Sequence, residues 1–168
     1  MTLIIQPITA LNLSQKSFCK SDPIYSLNSS GLPQGGLYTC PSLPGLISPI
    51  AGTYYIDPSA ATVSGDYVIY YQKTSSYSSG LQTQNCPSTA SDTISIGGTS
   101  NVDLNFTPNT FEECAPAIAL NGGSPSGGTY SLLGNSLAIS NGFLFPGQLS
   151  VGNHTIRYVY TDLFGCSD

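Results

Sequence analysis

His154, in Gly152-Asn153-His154-Thr155-Ile156, is the one histidine of the chain and its only side chain with an ordinary pKa suited to general-base work at neutral pH. Nucleophilic hydrolysis would need that base beside a Ser or Cys, with a third group to orient it. His154 instead lies in a run of strand-like alternation and is matched elsewhere by Tyr67, so a packed or hydrogen-bonded role is expected of it. The carboxylates Asp22, Asp57, Asp66, Asp92, Asp103, Glu112, Glu113, Asp162 and Asp168 are scattered, and none forms an Asp-x-Asp-x-Asp-Gly calcium loop. Glu112-Glu113 with a nearby Asp could hold a calcium at a junction between halves; solvated acids are the plainer expectation. Gly35-Gly36 and Gly127-Gly128 precede neither a helix nor Gly-Lys-Ser/Thr, so they read as turns rather than phosphate loops. The expectation is a non-enzyme with no cofactor and no metal. What remains is surface chemistry: Tyr54, Tyr55, Tyr70 and Tyr77, with Tyr38, could stack on a sugar ring or another protein.

Composition narrows the partners. Only 8 % of the 168 residues are charged, and the net charge is −5 with four basic residues. Nucleic acid and anionic lipid both require a basic footprint, so neither is expected. No apolar run approaches the roughly 20 residues of a spanning helix, and Met1-Thr2-Leu3-Ile4-Ile5 lacks the basic stretch of a leader.

The elements that carry these residues repeat. Leu11–Phe18 is echoed by Leu104–Phe111, Gly35-Gly36-Leu37-Tyr38 by Gly127-Gly128-Thr129-Tyr130, and Gly65–Tyr71 by Gly152–Tyr158. An offset of roughly 90 residues makes each copy a small domain rather than a solenoid rung. Short strand-like runs recur at Leu3–Ile5, Ile24–Leu27, Gly52–Ile56, Tyr67–Tyr71, Thr93–Ile96, Val102–Phe106, Leu137–Ile139 and His154–Tyr160, punctuated by turn formers such as Asn141-Gly142. Each copy therefore reads as an antiparallel β-sandwich, 1–91 and 92–168, with Thr93–Ile96 matched to Thr2–Ile5 and opening the second. The alternation of the last run places His154, Ile156, Tyr158 and Tyr160 toward the core. The greater length of the first copy is assigned to Cys40–Leu46 and to Lys73–Gly80.

Five cysteines favour an oxidising setting. Within the repeat Cys19 answers Cys114 and Cys86 answers Cys166, so the expected disulfides are Cys19 with Cys86 and Cys114 with Cys166. Cys40, opposite Leu132, has no repeat partner. Zinc is not expected, because no close Cys-x-x-Cys accompanies the lone His.

The stretch from Cys114 to Leu120, with Gly127–Ser131, Gly142–Pro146 and the ending Gly-x-His-Thr-Ile-x-Tyr-x-Tyr-Thr-Asp-x-x-Gly-Cys at 152–166, resembles the Ig-like repeats of very large Bacteroidota surface proteins. These include gliding-motility adhesins of the SprB type and other cargo of the type IX secretion system. The resemblance covers most of the second copy; in the first, Gln72-Lys73 interrupts the ending and Asn85 stands before the Cys. It implies two tandem Ig-like sandwiches and export to the cell surface, with the export signal outside residues 1–168. Asp92-Thr93-Ile94 also resembles the O-glycosylation signal of that group, and would decorate a linker.

The reading that follows is a non-enzymatic, secreted piece of a long cell-surface adhesin, cut at module boundaries, serving cell adhesion as a disulfide-stapled spacer. Its partners would be neighbouring repeats and surface polysaccharide or glycan. Two alternatives stand: a fibre subunit polymerising by β-strand addition through Met1–Ile5, or an accessory carbohydrate-binding module of a secreted enzyme.

Overall fold

The computed structural model describes residues 8–79, 82–98, 101–134 and 137–168. The expected strand at Leu3–Ile5 lies outside them. The chain is all-β: among the described residues the only helical turns are 3₁₀ segments at Pro44–Leu46, Pro58–Ala60 and Pro146–Gln148. It forms two compact units that divide between Gly98 and Thr99.

The first unit contains β1 (Ala10–Leu11), β2 (Ser17–Cys19), β3 (Tyr25–Ser26), β4 (Gly31–Leu32), β5 (Leu37–Thr39), β6 (Ile47–Ile50), β7 (Thr53–Ile56), β8 (Gly65–Ser79) and β9 (Gln82–Gly97). One sheet runs β2-β9-β8-β5 and another β3-β7-β6, with a small β1-β4 pair. Ile69 and Tyr71 from β8, Ile94 and Ile96 from β9, Phe18 from β2 and Ile56 from β7 meet in one core, all at most 2 % exposed. Alternate residues of Tyr67–Tyr71 and Ile94–Ile96 enter it, as strand geometry requires, leaving Val68, Tyr70, Ser91 and Thr93 outside. The boundary expected at 91/92 is thus corrected. Ile94 and Ile96 are fully buried in the first unit's core, and β9 pairs antiparallel with β8 and parallel with β2, so Thr93–Ile96 closes the first unit instead of opening the second.

The second unit contains β10 (Asp103–Leu104), β11 (Ile118–Ala119), β12 (Gly123–Ser124), β13 (Thr129–Leu132), β14 (Ile139–Ser140), β15 (Phe143–Leu144) and β16 (Ile156–Val159). Its sheets are β10-β12, β11-β15-β14 and β13-β16. The pairings match those of the first unit wherever both are described, apart from those made by β9. Tyr130 lies opposite Tyr158 as Tyr38 lies opposite Tyr71. Leu104 lies opposite Gly123 as Leu11 lies opposite Gly31. The turns Ala51-Gly52 and Asn141-Gly142 have positive φ at both residues, the geometry a two-residue hairpin needs to match strand twist.

The registers also relocate the extra length of the first copy. Asp57 N–H donates to Leu46 O and Phe145 N–H to Ala138 O, so the chain on either side of Cys40–Leu46 matches its counterpart and that stretch is no insertion. One addition is the β6–β7 hairpin, with four paired positions against two in β14–β15. The other is the β8–β9 ribbon, which continues past Lys73 and Ser88 to Ser79 and Gln82, where the second unit turns at Asp162–Gly165. The Lys73–Gly80 assignment is therefore right in place as far as Ser79; Gly80 lies outside the described residues.

Candidate functional site

A pair of tyrosines anchors each unit. The Tyr71 hydroxyl accepts from Gly36 N–H at 2.8 Å and donates to Pro33 O; the Tyr158 hydroxyl accepts from Gly128 N–H at 2.7 Å and donates to Pro125 O. The partner tyrosines repeat as well, with Tyr38 taking Gly31 N–H and Tyr130 taking Gly123 N–H, each at 2.7 Å. Ring centroids are 4.7 Å apart in both pairs. Four backbone donors that sheet pairing leaves over are thereby satisfied by phenols, which the buried backbone requires. Burial pushes the Tyr38 hydroxyl above its ordinary pKa, the Gly31 N–H partly offsetting this and nearby Tyr71 adding to it. These tyrosines are structural fasteners, and Tyr38 is withdrawn from any stacking role.

The expected contact tyrosines do not form one platform. Tyr54 faces inward, its ring 5.4 Å from Tyr38, in a cleft with Leu27, Gln34 and Gly36. Tyr55 points the opposite way on β7, and Tyr70 lies on the outer face of the other sheet. The side chain of Tyr77 lies outside the described residues. A sugar ring could meet one of these tyrosines, not the set.

His154 is exposed and its Nε2 lies 2.8 Å from Ser150 O, so the hydrogen-bonded role fits, whereas the expected inward orientation does not. Glu112 and Glu113 are exposed, and among the described residues no three His, Cys, Asp or Glu side chains cluster to hold a metal ion. Thr93 sits within β9 opposite Val68, not in a linker. Its neighbour Asp92 is occupied: Lys16 Nζ, Leu13 N–H at 3.0 Å and Thr93 N–H at 2.9 Å all donate to the carboxylate. Partial burial opposes its charge, but these donors outweigh burial and hold the carboxyl below the usual value.

That shift has a sign. A carboxyl depressed by folding contributes stability above its unfolded value of about 3.9, and the contribution is lost as pH falls through the folded value. Asp92→Asn should cost about 1.5–3 kcal/mol at pH 6, the range for hydrogen bonds to a charged group. The gap from the parent protein should narrow steadily toward pH 3. A gap independent of pH in denaturation curves would contradict the assignment.

The cysteines depart from the expected pairing. Cys86 and Cys114 are free and exposed, and Cys40 is free and buried, so neither expected bridge is formed. The sheet register explains why Cys86 cannot reach Cys19. Cys19 lies opposite Gly97 and Cys86 opposite Ser75, so at about 3.3 Å per residue they stand some 36 Å apart along β9. A disulfide needs Cα atoms about 4.4–6.8 Å apart. In the second unit Glu112 and Glu113, just before Cys114, border the Gly152 end of β16, while Cys166 lies past Tyr160 at the other end.

The feature that residue-by-residue inspection misses is a groove of about 580 Å³ in the second unit. Phe106, Phe111, Leu144, Leu149 and Ile156 supply its apolar lining, with Gly152–His154 along one rim. Among the described residues nothing pairs with the free edge of β16, the place that β9 takes beside β8. Burial tracks that vacancy. Phe18, Leu13 and Ile69 are at most 2 % exposed, whereas their counterparts Phe111, Phe106 and Ile156 are only half-buried. The signal available in the sequence was the Thr-Ile-Ser-Ile run at 93–96, whose alternation suits it to the slot beside β8.

No protein-family model, curated protein or solved structure matches this chain.

Proposed function

We propose that the chain is a non-enzymatic structural piece of a cell-surface adhesin: two tandem Ig-like β-sandwich units serving as a spacer or adhesive stalk, exported in the manner of type IX cargo. The observation that carries this reading is the reuse of one fastening device, the tyrosine pair over two glycines, at equal geometry in both units. Duplication that preserves the packing while the exposed loops differ is what a spacer requires, since reach grows with every copy and weak contacts add through multivalency. The resemblance of residues 114–166 to Bacteroidota surface repeats supplies the setting. A glycan is the expected contact where one is made.

An antibody against the chain, used on surface material of source cells under reducing, denaturing conditions, tests this. A band of hundreds of kilodaltons is expected for a repeat-built adhesin. A single small band would overturn the reading, as would saturable binding of one defined glycan by an isolated unit at the affinity of a dedicated lectin.

A further inference from the structure

Among the described residues the slot beside β8 is filled by β9, and the matching slot beside β16 is not. In the first, Ile94 and Ile96 of β9 project between β8 and β2 and are at most 1 % exposed. Ile96 lies opposite Gly65 on one side and Phe18 on the other, and Ile94 opposite Tyr67. The matching positions in the second unit are Gly152, Phe111 and His154, and all three line the groove. Antiparallel pairing already reaches this edge: Tyr160 and Asp168 exchange N–H to O bonds at 2.9 and 3.0 Å. The chain also carries a segment of the right pattern that has no place in the first unit's filled slot. Thr2-Leu3-Ile4-Ile5 matches Thr93-Ile94-Ser95-Ile96, with Leu3 and Ile5 in the positions of the two buried isoleucines.

We propose that the groove of the second unit is a strand-acceptor site, and that its occupant is Thr2–Ile5 of a second copy of this chain. The donated strand runs antiparallel to β16, Leu3 beside His154 and Ile5 beside Gly152, and its two aliphatic side chains cover Phe106, Phe111 and Ile156. Backbone pairing with the free edge supplies affinity, and the period-two pockets supply register. One chain thus offers one donor and one acceptor at different places, a heterologous contact that builds head-to-tail assemblies. The inference goes beyond the stalk reading and does not depend on it.

The test uses the whole chain with the exposed thiols of Cys86 and Cys114 alkylated, so that only non-covalent association is read. Light scattering across a concentration series should show masses rising in steps of 17.5 kDa. The double variant Leu3→Asp, Ile5→Asp should weaken association at least tenfold. Ile4→Asp, at the outward position matching Ser95, should leave it within about twofold, because alternation sends that side chain to solvent. None of the three substitutions falls on a residue that lines the groove, and the far-UV circular dichroism of each variant should match the parent. A monomer at every concentration, association that survives the double variant, or equal loss in Ile4→Asp would each overturn the proposal.

Discussion

Ile94→Ala is expected to destabilise the first unit by about 2–5 kcal/mol, the range for truncating a fully buried aliphatic side chain in a core that relaxes only partly. Ile94 is 1 % exposed and lies between the two sheets, against Ile69 and Phe18 in the same core. Its strand neighbour Thr93 points outward and is exposed, so Thr93→Ala should change stability by no more than about 0.5 kcal/mol. Urea denaturation of the two variants measures the difference. Equal effects would mean that β9 is not the strand that closes the core.

A second large effect is expected at Gly36 and, in parallel, at Gly128. A Cβ built on Gly36 would stand 2.5 Å from Gln72 O and 2.5 Å from Tyr71 Cζ; on Gly128 it would stand 2.5 Å from Val159 O and 2.4 Å from Tyr158 Cζ. One obstacle in each case is backbone, which cannot swing aside, and the other is the tyrosine ring that bonds the glycine's own N–H. Gly36→Ala and Gly128→Ala should each cost about 1–3 kcal/mol, as overpacking does, with the added loss of the phenol bonds if the ring is displaced. The informative feature is the match. Similar losses, each confined to the unit that carries the substitution, follow from a duplicated fastener; a loss at one site and neutrality at the other would mean that the two tyrosine pairs do different work.

Much of this architecture was legible in the sequence, and for a physical reason. Alternation over His154–Tyr160, with Gly-rich turns at fixed places, specifies a strand because period two is the mark of one. The repeat then predicted which residues would correspond, and the structure places Tyr71 with Tyr158 and Gly36 with Gly128 accordingly. What stayed hidden depended on the order of long-range pairing. Thr93–Ile96 looks equally well suited to open one sandwich or close another, since local propensity says nothing about which neighbour a strand joins. That ambiguity misplaced the boundary. It also concealed the groove, which exists only because the second unit has no described strand in the β9 position. The disulfide expectation failed similarly: matching cysteines by repeat ignores how far a ribbon of fifteen paired positions carries Cys86 from Cys19. Which of the tyrosines is open to a contact was not legible either, because alternation puts Tyr54 and Tyr55 on opposite faces and which face is inward requires knowing the partner sheet.

The account rests on the groove beside β16 being the counterpart of the slot that β9 fills beside β8. Grafting the sequence of residues 89–97 onto the chain directly after Asp168 tests this most directly, with unfolding of the second unit followed through the Gly128 amide that Tyr158 holds. Burial of two isoleucine side chains in the groove should raise that unit's stability by about 3 kcal/mol or more, while the first unit remains unchanged. A second unit whose stability does not move, with the graft exposed to proteolysis, would contradict the account.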